Sequence, residues 1–411
     1  MLLEKNNLRR ILLLIQILFF FLIELTLPQS LKYFSSYGTS ESLIFYPLFL
    51  IPLILLIATF LMEKFQALFF FLMALVLVNN LYVGAFITVF FLFFFWGVSK
   101  KRDSGPLTFF WMVVLAGLTF SSIYYLQIAN SLSWFWLMIH VTWALKFIAW
   151  TVSVRLYDKT YSIKNYLEFF FNPVFFFFTS DLNVLTPERF FNSRIDKDQI
   201  TASDFKLFLY QTFAGVFLLI IYGIAQKYYF LNLENIGFFG KAYIGAFVSI
   251  GVAILFHAAN SCIQVSMLNS FHYKLQVDMN RPWLAISPSD YWKRMHFYVR
   301  DYIFEIITKP VMTNLIRWNS KLVNFKIVII GIIYLIFSCT QVGYQPYRQG
   351  RTLLIGFLVT GVFVAMMSLP EILLTKRAHN FFEKHHWMGR ALTFIILYVG
   401  YYFIFSVRKG F

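Results

Sequence analysis

Long apolar stretches make up most of the chain, and short polar segments separate them. Residues 11–28 form the first apolar stretch and residues 43–62 the second, on either side of a polar segment at 32–42. A run of about 20 apolar residues is the length that an α-helix needs to cross a bilayer. The pattern therefore predicts transmembrane helices joined by short loops.

The charge-free stretch at residues 65–98 is too long for one crossing. A single helix over it would extend about 50 Å, whereas the hydrocarbon core is about 30 Å thick. We therefore expect two short spans that turn near Asn79 and Asn80. The same criterion predicts seven further spans, at 107–127, 133–154, 206–229, 241–267, 326–345, 352–374 and 391–407. With the four crossings above, some eleven are predicted in all.

Two connections between the spans are long and polar. Residues 155–205 carry mixed charge around a short Phe-rich run, which predicts an interfacial or re-entrant helix. Residues 269–325 hold a dense cluster of charges, and we expect a cytoplasmic or re-entrant segment there. The predicted fold class is all-α: a polytopic transmembrane helical bundle of about 11 spans plus re-entrant or interfacial helices. Residues 1–411 then form a single integral membrane domain.

Composition and charge agree with this class. Hydrophobic residues make up 59% of the chain and charged residues only 13%. Lys5, Arg9 and Arg10 precede the first span and predict a cytoplasmic N-terminus. The excess of 35 Lys and Arg over 19 Asp and Glu suits loops and lipid headgroups, so we expect the lipid bilayer and no nucleic acid as a partner.

The densest polar chemistry lies between residues 280 and 302. Pro282 predicts an extended backbone at Arg281, and Ser289 is the predicted N-cap of a helix that begins at Asp290. Charged groups at membrane depth are costly unless they are paired or hydrated, which marks this stretch as a functional candidate. In one continuous helix, two sets of side chains would share faces. The sets are Asp290, Arg294 and Phe297, and Trp292, His296 and Arg300.

This stretch resembles the signature of the membrane-bound O-acyltransferase family. That signature has Asn-Arg-Pro, then Ser-x-x-Asp-Phe-Trp-x-Arg-x-His, then an Arg-Asp-Tyr helix. The corresponding residues are Asn280-Arg281-Pro282, Ser287, Asp290-Tyr291-Trp292-Lys293-Arg294-Met295-His296 and Arg300-Asp301-Tyr302. Order and spacing agree through His296, after which fewer residues than in the family precede the Arg-Asp pair. The resemblance implies acyl transfer from a thioester to a hydroxyl.

The resemblance also suggests roles for individual residues. His296 is the expected catalytic base, and we assign donor binding to the polar and aromatic residues around it. These are Arg281, Asp290, Trp292, Arg294, Arg300 and Asp301. The polar end of the 241–267 span cannot face lipid, so its residues are expected to line a tunnel together with one later residue. The tunnel set is His257, Asn260, Gln264 and Gln341.

The second histidine of the family, in a Trp-His-Gly context, has no counterpart where it is expected. Val342 precedes Gly343 at that place. Two arrangements could compensate. In the first, His296 acts alone and an acid holds it: Asp290, Asp301 or Glu305. In the second, another imidazole reaches the site: His379, His385 or His386.

Two hypotheses about function follow. The first is an enzyme that moves an acyl group, expected to be acetyl, from acyl-CoA or an acyl-carrier protein to a hydroxyl of an envelope polysaccharide or to a periplasmic partner acyltransferase. Its location would be the bacterial cytoplasmic (inner) membrane. The second is a scaffold or regulator that keeps the fold without the chemistry. A transporter would also explain intramembrane polarity but not the motif. We expect no bound cofactor and no metal, because His379, Glu383 and His386 fit a solvated connector better than a metal site.

Overall fold

The computed structural model describes the chain in segments. They are residues 2–26, 42–61, 63–76, 145–154, 157, 161–172, 184–194, 201–233, 238–321, 381 and 384–410. Several predicted features lie outside the described residues. They are the turn at Asn79 and Asn80, the spans at 107–127, 326–345 and 352–374, and Gln341, Val342 and His379.

Helices form almost all of the secondary structure in the described segments, and these segments contain no strand beyond an isolated bridge between Arg194 and Tyr273. The all-α class is therefore confirmed for this part of the chain. The helices are α1 (Leu2–Thr26), α2 (Ser42–Ala58), α3 (Glu63–Val76), α4 (Leu145–Val154), α5 (Ile163–Phe170), α6 (Pro187–Asn192), α7 (Ala202–Leu233), α8 (Phe238–Ser270), α9 (Pro288–Met295), α10 (Phe297–Tyr302), α11 (Lys309–Trp318) and α12 (His386–Gly410). A 3₁₀ turn at Pro282–Leu284 precedes α9, and a π-helix at Ile303–Thr308 joins α10 to α11.

The outer faces of the long helices are apolar. Exposed residues of α7 recur every three or four positions, which is the spacing of one helix face. They are Tyr210, Phe213, Phe217, Ile220 and Ile224. Helix α1 exposes a similar stripe at Ile11, Leu14, Ile15, Leu18, Phe21 and Leu22. Exposed apolar patches of this extent are uncommon on soluble monomers and are typical of surfaces that contact membranes or proteins.

One helical stretch in the described part of the chain is long and apolar enough to cross a membrane. It is Ser203–Ala225, with 23 residues and a mean hydropathy of 2.0. This stretch lies within α7 and corresponds to the predicted span at 206–229. The predicted span at 241–267 lies within α8, and that at 391–407 lies within α12.

Polar side chains connect α1, α7 and α8 on their inner faces. Gln16 is fully buried, and its Nε2 donates to Ser266 Oγ at 3.0 Å and to Thr212 Oγ1 at 3.3 Å. Thr212 Oγ1 in turn donates to Ser266 Oγ at 3.1 Å. The helices thus have apolar outer faces and a hydrogen-bonded polar contact inside, as expected where hydrogen bonds between helices assist packing in lipid.

Close packing of α7 against α8 depends on Gly215. A Cβ atom there would lie 2.6 Å from Ile263 Cγ1 and 3.1 Å from the carbonyl oxygen of Ala259. We therefore expect Gly215→Ala to lower the free energy of unfolding by about 1–3 kcal/mol, the usual cost of overpacking. Thermal unfolding in detergent would measure the change. Gly251→Ala is the matched control, because a Cβ there meets nothing within 4 Å. It should be neutral or stabilising by up to about 1 kcal/mol, since alanine is the better helix former.

The segment with the family motif is anchored to α8 and α12. A small apolar cluster joins the three elements: Ile250, Ala285, Tyr291, Met295 and Leu397. Gly389, in the first turn of α12, approaches the loop before α9 so closely that a Cβ would lie 2.8 Å from the carbonyl oxygen of Ile286. These contacts hold the motif segment against α8 and α12, and the candidate site lies at the C-terminal end of α9.

Candidate functional site

Helix α9 begins two residues earlier than the sequence indicated. Ser287, not Ser289, is the N-cap, and its Oγ accepts from the backbone N–H of Asp290 at 3.1 Å. The Asp290 carboxylate reaches back and accepts from the N–H of Ile286 at 3.2 Å. Pro288 occupies the first helical turn, where its missing N–H costs nothing. The prediction of Ser289 as the cap was wrong because it overlooked how well proline suits the position after a cap.

These contacts allow a direct comparison of the two serines. Ser287→Ala should lower the free energy of unfolding by about 1 kcal/mol, because a helix N–H loses its acceptor. Ser289→Ala removes a hydroxyl that has no capping role and should change it by less than about 0.5 kcal/mol. Thermal unfolding of both variants in the same detergent would test this. Equal effects of the two substitutions would contradict the assigned cap.

The backbone at Arg281 is left-handed, with φ 48° and ψ 61°, and not extended as predicted. The preceding segment has to turn sharply here. The N–H of Asn280 donates to the carbonyl oxygen of Arg294 at 2.8 Å, and the N–H of Leu284 donates to that of Arg281 at 2.9 Å. Proline disfavours the right-handed helical region at its predecessor, so a left-handed residue makes the turn. The side chain of Arg281 is exposed.

His296 interrupts the helix that was expected to continue through it. Its φ of −132° and ψ of 62° end α9 and precede α10, so the motif forms two helices. Neighbours within α9 keep the predicted contacts. Arg294 Nε pairs with the Asp290 carboxylate at 2.9 Å, and the Trp292 and His296 rings lie 4.3 Å apart. Arg300 lies beyond the break, on α10.

The break brings His296 against a second imidazole, that of His257 in α8. The centroids of the two rings are 4.8 Å apart and the ring planes are inclined by 85°. Both side chains are half-buried. Phe256 and Trp292 flank the pair, with ring centroids 5.7 Å from His257 and 4.3 Å from His296. Two imidazoles therefore lie in contact, with aromatic rings on either side of the pair.

Two other residues predicted for the tunnel, Asn260 and Gln264, lie on the same helix. They follow His257 at three and seven positions, which places them on one face of α8. Gln264 is buried, and its Oε1 accepts no hydrogen bond within the described part of the chain. Asn260 is half-buried. The structure thus brings His257 to His296, whereas Gln341 lies outside the described residues.

The acids that were expected to hold His296 pair with cations. Asp301 accepts from Arg189 of α6 and from Arg300, whose Nε lies 2.7 Å from Asp301 Oδ1. The guanidinium of Arg189 stacks 4.4 Å from the ring centroid of Phe297, and that of Arg300 lies at 5.4 Å from it. We call the Arg189–Asp301–Arg300 group the arginine–aspartate cluster. It connects α6 to α10.

Glu305, the third acid, lies on the π-helix and pairs with Lys309 at 3.2 Å. The alternative imidazoles at the start of α12 are on the surface: His385 stacks on Phe381 with ring centroids 4.5 Å apart, and His385 and His386 are exposed. Within the described part of the chain, the imidazole that contacts His296 is that of His257, which the sequence had suggested only as a tunnel residue.

The sequence did not identify three features near the site. They are the contact of His257 with His296, Arg189 of the arginine–aspartate cluster, and Asp278. Asp278 is a carboxylate only 6% exposed, and its Oδ1 accepts from the N–H of Tyr298 at 2.8 Å. No signal in the sequence marked Asp278, because polar residues lie two positions away on both sides, Gln276 and Asn280. Arg189 had no signal either.

Known proteins do not provide a family for this chain. None of the known protein-family models matches it, and no curated protein shows a significant match.

Proposed function

We propose that the protein is a membrane O-acyltransferase that moves an acyl group, expected to be acetyl, from a thioester to a hydroxyl. The observation that carries the proposal is the contact between the imidazoles of His257 and His296, 4.8 Å apart between ring centroids. The motif around His296 implied this reaction but left it without the second histidine of the family. His257 supplies a second imidazole beside His296, from helix α8.

The chemistry requires a base and a group that stabilises the tetrahedral intermediate. One imidazole takes the proton of the acceptor hydroxyl as its oxygen attacks the thioester carbonyl and the new C–O bond forms. The other donates a hydrogen bond to the oxyanion. When the C–S bond breaks, the proton passes from the first imidazole to the departing thiolate. The products are an ester and a free thiol, with no net proton change.

The same proposal places the chain as a bundle of about eleven spans in the bacterial cytoplasmic membrane, with its N-terminus in the cytoplasm. The apolar stripes on α1 and α7 support a lipid-facing surface, and buried polar contacts such as that of Gln16 support a membrane interior. Acyl-CoA or an acyl-carrier protein is the proposed donor. An envelope polysaccharide hydroxyl, directly or through a periplasmic partner acyltransferase, is the proposed acceptor.

One observation favours the competing hypothesis of a scaffold without chemistry. Asp290, Arg294, Arg300 and Asp301, which were expected to bind the donor, form ion pairs within the protein. Such pairs hold the motif together whether or not a donor binds. The two hypotheses therefore differ in one measurable property, thioester turnover.

The test uses purified full-length protein with radiolabelled acetyl-CoA. We expect release of free CoA and transfer of label to a hydroxyl acceptor by the wild type, and loss of both in His296→Ala. His385→Ala serves as the control, because it removes an exposed imidazole that stacks on Phe381. Wild-type protein that folds and binds envelope partners but does not turn over the thioester would support the scaffold and reject the enzyme.

A further inference from the structure

The segment that returns from α8 to α9 runs beside the junction of α9 and α10. It is bonded to both sides of His296. On one side, the N–H of Asn280 donates to the carbonyl oxygen of Arg294 at 2.8 Å. On the other, Asp278 Oδ1 accepts from the backbone N–H of Tyr298 at 2.8 Å. Arg294, two residues before His296, and Tyr298, two residues after it, are thus both bonded to this segment.

Asp278 takes over the capping function that belongs to the position of His296. His296 is the N-cap residue of α10, yet its side chain makes no capping hydrogen bond. An N-cap side chain normally accepts from the second or third helical N–H, and Tyr298 is the second residue of α10. Because the Asp278 carboxylate satisfies that donor, the imidazole of His296 is not used as a cap. It points instead to the ring of His257, with centroids 4.8 Å apart.

Asp278 is also tied to the helix that carries the other imidazole. Its backbone N–H donates to Ser261 Oγ at 2.6 Å, and Ser261 lies one turn after His257 on α8. One residue therefore joins the α8 turn below His257 to the start of the helix that follows His296. Its carboxylate is 6% exposed, so water competes little for these bonds.

A second contact holds the same segment against α10. The hydroxyl of Tyr298 donates to the carbonyl oxygen of Gln276 at 2.7 Å and accepts from its N–H at 3.1 Å. Burial, and then the nearby charge of Asp278, raises the pKa of the Tyr298 phenol above its usual value. The phenol therefore stays protonated and keeps its donor through the physiological range.

We propose that Asp278 is a positioning residue, which caps α10 in place of His296 and thereby holds the His296 imidazole against that of His257. The inference rests on the proposed function for its catalytic consequence, whereas the packing it describes can be measured without any reaction. Misplacing a catalytic group by about 1 Å can cost about 100-fold in rate. The substrate-binding steps should be affected much less.

The experiment uses full-length protein with histidine labelled at Cε1, assigned with His257→Gln and His296→Gln. In the wild type we expect an NMR cross-peak between the two imidazole protons. Asp278→Ala should abolish the cross-peak and lower kcat for acetyl-CoA turnover about 100-fold with an unchanged KM. Asp278→Asn should retain both, because asparagine caps helices as well as aspartate does.

Two further variants keep the test decisive. Ser162 caps α5, and its Oγ accepts from the N–H of Asn165 at 3.2 Å. Ser162→Ala removes this cap and should leave the cross-peak and kcat intact. If Asp278→Ala does not fold, Ser261→Ala cuts the same connection from α8 and should weaken the cross-peak. A wild-type cross-peak that persists in Asp278→Ala or in Ser261→Ala overturns the inference. Absence of turnover in every form rejects the proposed function alone, because the NMR result still decides the role of Asp278.

Discussion

His257→Ala is expected to reduce acyl transfer as severely as His296→Ala does. A positioned acid or base contributes about 10²–10⁴-fold to rate, and we expect kcat to fall by that factor in each variant. The reason is that the two imidazoles lie in contact, and the proposed mechanism divides proton transfer and oxyanion stabilisation between them. Initial rates of CoA release from acetyl-CoA, measured at saturating donor, would give the change in kcat directly.

The double variant decides whether the two histidines act as a unit. Catalytic groups that work together lose most of their effect with the first substitution, so His257→Ala/His296→Ala should be scarcely slower than either single variant. Wild-type turnover in His257→Ala with none in His296→Ala would instead favour a lone base. If the loss of kcat in the double variant equals the product of the losses in the two single variants, the two histidines have independent roles.

Contacts within one helix turn could be predicted from the sequence, because their geometry follows from helix periodicity alone. The Asp290–Arg294 pair at 2.9 Å and the contact of Trp292 with His296 at 4.3 Å are of this kind. The apolar helices α7 and α8 were also predictable, since their length and hydropathy leave few alternatives. Local pattern was sufficient for these contacts but not for the cap of α9, where Ser287 and not Ser289 accepts from the Asp290 N–H.

The helix break at His296 could not be predicted this way. Nothing in the residues from Trp292 to Arg300 disfavours a continuous helix, since neither glycine nor proline is present there. At the break, Asp278 accepts from the Tyr298 N–H at 2.8 Å from outside the helix. That contact depends on the path of the chain over 20 residues, which no periodicity encodes. The contact of His257 with His296 is equally non-local.

The arginine–aspartate cluster provides the last expected result: Asp301→Ala should destabilise the protein more than it weakens donor binding. Removal of the carboxylate leaves Arg189 and Arg300, both near the ring of Phe297, without their shared acceptor. Breaking a buried pair costs about 3–5 kcal/mol, and exposed pairs contribute about 0–1 kcal/mol. Asp301 is 14% exposed and its partners about a third, so we expect a loss of about 2 kcal/mol in unfolding free energy.

Glu305→Ala is the matched control, because it removes an acid four residues later whose pair with Lys309 is about half exposed. That change should cost less than about 1 kcal/mol. Thermal unfolding in detergent gives the stability of both variants, and KM for acetyl-CoA shows whether either residue binds the donor. A large rise in KM for Asp301→Ala with unchanged stability would assign Asp301 to donor binding, as the motif first suggested. The expected outcome, lost stability with a nearly constant KM, would make the cluster the structural connection that holds α6 against α10 and leaves donor recognition to other residues.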